Sequence, residues 1–122
     1  MKSLAYNLLR AKKIEYTFRS DERLNDKKLS MGQRRNFYLI FKEAVNNMVK
    51  YSNATQASIT LTNEDNKIRL LIRDNGVGFD QQQDATGNGL KNMKRRADEM
   101  NATFTVESSK GNGTQIELIL KA

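Results

Sequence analysis

Arg73-Asp-Asn-Gly-Val-Gly-Phe79 and Gly87-Asn-Gly-Leu-Lys-Asn-Met93 are the two segments of this sequence that constrain its architecture most strongly. Each contains a Gly-x-Gly pair, and a third pair, Gly111 and Gly113, lies further along the chain. Glycine is used where the backbone takes a positive φ or approaches another group without a Cβ in the way. We therefore expect the first two pairs to bracket a loop that leaves a strand, enters a helix and holds something against bare backbone.

The loop after Asp74 does not continue as a hairpin. Asn75-Gly76 is a strong signal for a tight turn, but no strand alternation follows it, and apolar positions return with helical spacing at Leu90 and Met93. The loop thus ends at a helix N-terminus, where free backbone N–H groups and the positive end of the helix dipole favour an anion such as phosphate. At its other end, the Asp74 carboxylate can accept a hydrogen bond from an amine such as the 6-amino group of adenine.

The composition excludes several kinds of chemistry. The 122 residues are 38% hydrophobic, which is enough for one domain with one core. The chain has no cysteine and no histidine, so it contains no disulfide, no thiolate or imidazole metal site and no Ser-His or Cys-His nucleophile pair. The net charge of +7 lies in residues 1–50, which carry 12 basic and 5 acidic side chains. These basic residues are scattered without interleaved aromatic residues, and we interpret them as a solvated face.

Hydrophobic periodicity predicts helices over residues 3–13, 31–51 and 90–100 and five strands, at 14–18, 58–62, 67–74, 103–107 and 114–120. Ser3 is the expected cap of the first helix, whose apolar face would consist of Leu4, Leu8 and Ala11. The order of elements predicts a two-layer α/β sandwich, with helices on one face of a mixed, largely antiparallel sheet.

The long helix at 31–51 has two distinct stripes. Its core face is predicted to consist of Phe37, Ile40, Phe41, Ala44, Val45 and Met48. Outside this face, Glu43, Asn47 and Lys50 return to nearly the same angle, because their spacings are four and three residues. On helix geometry alone, this second stripe is interpreted as solvated.

Four motifs in order resemble the N, G1, G2 and G3 boxes of the GHKL ATPase superfamily: Glu43–Tyr51, Asp74–Phe79, Gly87–Leu90 and Gly111–Thr114. The sequence is most similar to the catalytic, ATP-binding domain of bacterial sensor histidine kinases. Within these it resembles the short-lid branch of nitrate-sensor and lipid-fluidity-sensor kinases, because the segment 80–86 is compact. The resemblance implies the two-layer ATP-binding fold for residues 14–122, with residues 1–13 as a remnant of a linker helix.

The resemblance also implies roles for individual residues. Asn47 would bind the Mg²⁺ that bridges the phosphates of ATP, and Lys50 would contact phosphate. Glu43 matches the position of a general base, and we weigh this role equally against that of a helper that orients Asn47. Asp74 would recognise adenine with support from Thr114, and the remaining nucleotide-binding positions would be Gly76, Gly78, Gly87, Gly89 and Leu90.

Two features depart from the family pattern. Tyr51 stands where many short-lid relatives have histidine, and the helix that carries the phosphoacceptor histidine is absent from this sequence. We therefore expect the chain to serve a histidine on a separate dimerisation domain, and a response regulator indirectly. We also expect it to be a cytoplasmic part of a kinase that is membrane-anchored elsewhere, with no membrane or nucleic-acid contact of its own.

Two other functions stay open at this point. A serine kinase of the anti-sigma type shares the fold and the boxes but phosphorylates a partner protein. A basic nucleic-acid-binding module without enzymatic activity would use the first fifty residues, although the complete set of nucleotide boxes argues against it.

Overall fold

The computed structural model describes residues 1–20, 29–78 and 88–121. Within these ranges the chain forms three helices and five strands. The elements are α1 (Lys2–Ala11), β1 (Glu15–Ser20), α2 (Met31–Tyr51), β2 (Gln56–Glu64), β3 (Lys67–Asp74), α3 (Asn88–Glu99), β4 (Thr103–Ser108) and β5 (Thr114–Lys121). The predicted α/β class and the order of elements are confirmed.

The five strands form one mixed sheet in the order β1-β2-β3-β5-β4. β1 runs parallel to β2, and the other neighbouring strands are antiparallel. The register places Ile72 between Ile59 and Ile116, and Leu70 between Leu61 and Leu118. Because side chains alternate along a strand, this register collects the apolar residues of the sheet on the face that the helices cover.

The helix α2 is the centre of the helical layer. Its N-terminus is closed by a capping box, in which the Gln33 N–H donates to Ser30 Oγ over 3.0 Å and the Ser30 N–H donates to Gln33 Oε1 over 2.9 Å. The predicted core face is confirmed, because the buried residues of α2 are Phe37, Ile40, Phe41, Ala44, Val45 and Met48. Burial of each large side chain stabilises the fold by about 1.5–3 kcal/mol.

The helix α1 differs in detail from its prediction. It begins at Lys2 after Met1, which makes no side-chain capping bond, so Ser3 is not the cap. Its buried residues are Ala5 and Leu9, four positions apart on one face, whereas Ala11 is exposed. Leu4 and Leu8 are only partly buried against the same core. The assignment of residues 1–13 to a linker stays a prediction, because packing on this core does not reveal what precedes the helix in a longer chain.

The hairpin of β2 and β3 is longer than predicted. It closes at Asp65 and Asn66, which both have positive φ, at 51° and 61°, as a two-residue turn between twisted strands requires. β2 begins at Gln56 rather than at residue 58. In the described parts of the chain, no helix has the length and apolar character needed to cross a membrane.

Candidate functional site

The predicted site residues that the structure describes fall into two groups. We call Asp74, Gly76, Gly78 and Thr114 the strand-end cluster, because they lie where β3 ends and β5 begins. We call Glu43, Asn47, Lys50, Gly89 and Leu90 the helix cluster, because they lie on α2 and the first turn of α3. Gly87 and the predicted short lid, residues 80–86, lie outside the described residues.

The carboxylate of Asp74 is held by backbone. Asp74 is paired with Thr114 across β3 and β5, and the Gly76 N–H donates to Asp74 Oδ1 over 2.8 Å. The half-buried position raises the pKa of the Asp74 carboxyl above its ordinary value, while backbone hydrogen bonds from Gly76 and Thr114 act in the opposite direction. The carboxylate therefore has a fixed orientation and is partly desolvated. Both properties suit a group that recognises a ligand by hydrogen bonding.

Ser52 joins the end of α2 to the loop that follows β3. Its side chain is buried, with a hydroxyl that donates to the Met48 carbonyl over 2.6 Å and accepts from the Ala54 N–H over 3.0 Å. Its own carbonyl accepts from the Val77 N–H over 2.7 Å. A Cβ at Gly76 would overlap the Ser52 carbonyl oxygen and lie 2.7 Å from the Ser52 Cβ. Glycine at position 76 is therefore what allows α2 and the loop to meet.

Asn75 ties the same loop to the start of β2. Its side-chain oxygen accepts from the backbone N–H groups of Thr55 and Gln56, both over 2.9 Å. Its amide nitrogen donates to Thr55 Oγ1 over 2.9 Å. These bonds hold the start of β2 in place and orient the chain just after Asp74.

The glycine loops pack backbone against backbone. Gly78 and Gly113 have positive φ, at 64° and 74°, and a Cβ would overlap the Ser109 carbonyl oxygen at Gly78 and the Asp74 carbonyl oxygen at Gly113. The Gly111 N–H donates to the Val77 carbonyl over 2.6 Å. We expected these glycines to make room for a ligand, and the structure shows that they first make room for the chain itself.

The helix cluster is assembled by helix packing. Gly89 lies in the first turn of α3, and a Cβ there would be 2.6 Å from Glu43 Oε1 and 2.7 Å from Asn47 Nδ2. Glu43 and Asn47 are half-buried, whereas Lys50 is exposed in the last turn of α2. Leu90 packs against the core. The acid and the amide of the predicted stripe are thus placed beside the first turn of α3.

Three site residues were not predicted from the sequence: Ser52, Asn75 and Ser108. Asn75 was inside the quoted Asp-Asn-Gly motif, but its partners lie 19 and 20 residues earlier in the chain. Ser108 shares the β4 face of Phe104 and Val106 by alternation, and this places it beside Thr114. Within the described ranges, no three acidic side chains gather into a cation site.

Comparison with known proteins identifies the class. Residues 32–122 match the family described as "Histidine kinase-, DNA gyrase B-, and HSP90-like ATPase". The chain belongs to this family.

Its relatives are sensor proteins. The chain is 38% identical over 96 residues to the sensor protein VraS of Staphylococcus aureus strain COL, and 36% identical to VraS of Staphylococcus haemolyticus. Each alignment covers 78% of this chain and 28% of the relative. The chain therefore spans little more than a quarter of these proteins.

Solved structures share the fold. The blue-light-activated histidine kinase of Erythrobacter litoralis EL346 superposes with a TM-score of 0.80 at 15% identity, over 98% of this chain and 40% of the other. The histidine kinase AdeS of Acinetobacter baumannii superposes with a TM-score of 0.71 at 17% identity, over 98% and 64%.

Proposed function

We propose that this chain binds Mg-ATP between the strand-end cluster and the helix cluster and donates the γ-phosphoryl group to a histidine on a separate dimerisation domain. The observation that carries the proposal is the Asp74 carboxylate, which accepts from the Gly76 N–H over 2.8 Å and is half-buried at the end of β3. An acceptor fixed in this way suits a ligand that brings N–H donors.

At the strand-end cluster, Asp74 would accept a hydrogen bond from the 6-amino group of adenine. An ionised carboxylate only accepts, and guanine presents an oxygen at the same place, so two acceptors would face each other. A site formed to hydrogen-bond one group rejects an analogue that lacks it by as much as about 10⁴-fold, and a bridging water reduces this factor.

At the helix cluster, Asn47 would supply the protein ligand to Mg²⁺. Mg²⁺ takes few protein ligands when substrate phosphates and water complete its shell, so one hard amide oxygen fits the donor chemistry. When bound, the ion neutralises charge on the phosphates. Lys50, exposed one turn further along α2, would contact the same phosphates, and the first turn of α3 at Gly89 and Leu90 would offer N–H groups to them. Gly87 would contribute to the same phosphate-binding site.

The transfer step needs a nucleophile from outside the chain, which has no histidine. An imidazole nitrogen would attack the γ-phosphorus, so that an N–P bond forms while the bond to the β–γ bridging oxygen breaks and ADP leaves. The N–H proton of the imidazole must pass to a base, and Glu43 beside Asn47 is the candidate. Its alternative role is to orient Asn47.

The wider context is proposed from the relatives. Because they are named sensor proteins, we propose the histidine-kinase role over the anti-sigma-type serine kinase. On this proposal, the domain works in the cytoplasm for a kinase that carries its membrane anchor in other segments, and a response regulator receives the phosphoryl group afterwards.

The base assignment is tested by competition. Unlabelled ATP and GTP are titrated against a fluorescent ATP analogue on wild type and on Asp74→Asn. We expect wild type to prefer ATP by at least about 10²-fold. The variant should bind ATP more weakly than wild type does. Its ratio of ATP to GTP affinity should be smaller, because the amide NH₂ group is a donor that can face the guanine oxygen. Asp98→Asn is the matched control, since Asp98 lies on α3 and pairs with Lys94. Equal binding of ATP and GTP by wild type would refute the role of Asp74.

A further inference from the structure

Ser108, Thr114 and Asp74 lie in a row across three strands. Thr114 is paired with Asp74 on one side and with Ser108 on the other. All three side chains are half-buried and lie on the same face of the sheet as the core residues Ile72 and Ile116. A change at Ser108 can therefore reach Asp74 through Thr114, and also through Gly113, which packs against the Asp74 carbonyl oxygen.

The protons in this row can be assigned by counting. Ser108 Oγ lies 3.0 Å from the Gly113 carbonyl oxygen, which can only accept, so the single Ser108 hydroxyl proton is donated there. Ser108 Oγ also lies 2.9 Å from Thr114 Oγ1. Because the Ser108 proton is already used, Thr114 is the donor in this second bond. The Thr114 hydroxyl then has only lone pairs left for any other partner.

We infer that Ser108 is a positioning residue for base selection, which acts by keeping the Thr114 hydroxyl in the acceptor role. The inference rests on the proposed function, in which Asp74 binds adenine. The strand-end cluster then presents two acceptors side by side, the Asp74 carboxylate and Thr114 Oγ1. This pair suits an exocyclic amino group with two N–H bonds, directly or through a water.

Without Ser108 the hydroxyl of Thr114 would be free to turn. A hydroxyl donates as easily as it accepts, so a turned Thr114 would donate to the carboxylate of Asp74 or to the oxygen of guanine. Either bond weakens the preference for the amino group. Ser108 thus lowers the affinity for guanine relative to adenine without contacting the base.

The test compares Ser108→Ala with wild type on ATP, GTP and purine riboside triphosphate, which lacks the 6-amino group. We expect the variant to bind ATP about 3- to 10-fold more weakly, as for loss of one hydrogen bond. Its affinity for purine riboside triphosphate should be unchanged and its ratio of ATP to GTP affinity smaller. Ser108→Thr keeps the hydroxyl and should restore the wild-type ratios.

Two variants control for a merely structural effect. Ser109→Ala removes a neighbouring hydroxyl whose partner is Asn112, and it should alter none of the three affinities. In a Thr114→Val background, Ser108→Ala should have no further effect on ATP. Thermal denaturation of each variant establishes that it is folded.

Three outcomes would overturn the inference. Equal losses for all three nucleotides would mean that Ser108 only supports the fold of the loop, and unchanged ATP and GTP affinities would mean that it does not act on the base. If wild type already fails to distinguish ATP from purine riboside triphosphate, the adenine assignment itself is wrong. This last result is separable from the others because it needs no variant.

Discussion

The strand-end cluster and the helix cluster are built by different means. Around Asp74, the geometry comes from backbone: strand register, N–H groups on the carboxylate, and glycines that let two loops touch. Around Asn47, it comes from side chains on α2, placed against the first turn of α3. The difference teaches that substitutions should have different consequences at the two places. Substitution of the glycines at and beside the strand-end cluster should disturb the fold, and substitution of Glu43 or Asn47 in the helix cluster should change chemistry while the fold persists.

The largest effect is expected for Gly113→Ala. A Cβ there would overlap the Asp74 carbonyl oxygen at a φ of 74°. The sum of the overlap and the strained φ should lower the free energy of unfolding by at least about 3 kcal/mol. Gly111→Ala is the matched control, because Gly111 also has positive φ, at 84°, but nothing lies within 4 Å of its added Cβ. It should cost only about 1–2 kcal/mol, for the strained φ alone. If urea denaturation gives equal losses of unfolding free energy for Gly113→Ala and Gly111→Ala, the backbone-packing account is contradicted.

The second prediction concerns Glu43, a residue of the helix cluster, where a substitution should change chemistry and not the fold. Mixed with a histidine-bearing dimerisation domain, Glu43→Gln should transfer phosphate about 10²-fold more slowly than wild type, with ATP affinity and thermal stability nearly unchanged, because a general base acts mainly in the transition state. Single-turnover assays measure this rate. Glu15→Gln, on the edge strand β1, makes the same charge change elsewhere. If Glu43→Gln and wild type transfer at the same rate, Glu43 only orients Asn47.

The smallest effect is a pH dependence of stability. Burial raises the pKa of Asp74 in the folded state, against the opposing hydrogen bonds from Gly76 and Thr114. The folded state therefore binds this proton more tightly than the unfolded state. The resulting stability is present below the ordinary pKa and is lost as pH rises through the folded-state pKa. Melting curves between about pH 3 and pH 7 should show the Tm of wild type falling relative to that of Asp74→Asn. A constant difference in Tm would show that the pKa of Asp74 is not raised.

Most of the fold was predictable from periodicity. The six core positions of α2 recur with helical spacing, and the alternation of Ile68, Leu70 and Ile72 defines the buried face of β3. The face of α1 was predicted only in part, because apolar residues stand at the adjacent positions 4 and 5 and again at 8 and 9, and periodicity does not decide which of each pair is fully buried. The start of β2 was missed because its first residue, Gln56, is paired with Glu15 of β1, which lies far away in the sequence.

The candidate site was predictable in its motifs but not in its connections. The Gly-x-Gly pairs and the stripe on α2 can be found by spacing alone. The proximity of Gly89 to Glu43 and of Gly113 to Asp74 depends on tertiary packing, which no local pattern encodes. For the same reason, the glycines were expected to contact a ligand, and their contacts with Ser52, Ser109 and Asp74 were not foreseen.

The central claim is that one nucleotide is shared between the two clusters, with its base at Asp74 and its Mg-phosphates at Asn47. The most direct measurement is titration calorimetry of adenosine and of Mg-ATP with wild type, Asp74→Asn and Asn47→Ala. The account predicts that Asp74→Asn weakens both ligands by a similar factor. It predicts that Asn47→Ala abolishes the extra affinity that Mg²⁺ and the phosphates give to Mg-ATP over adenosine. The same variant should leave adenosine binding intact and barely change thermal stability. Unaltered binding of Mg-ATP by Asn47→Ala, or equal weakening of adenosine by both variants, would contradict it.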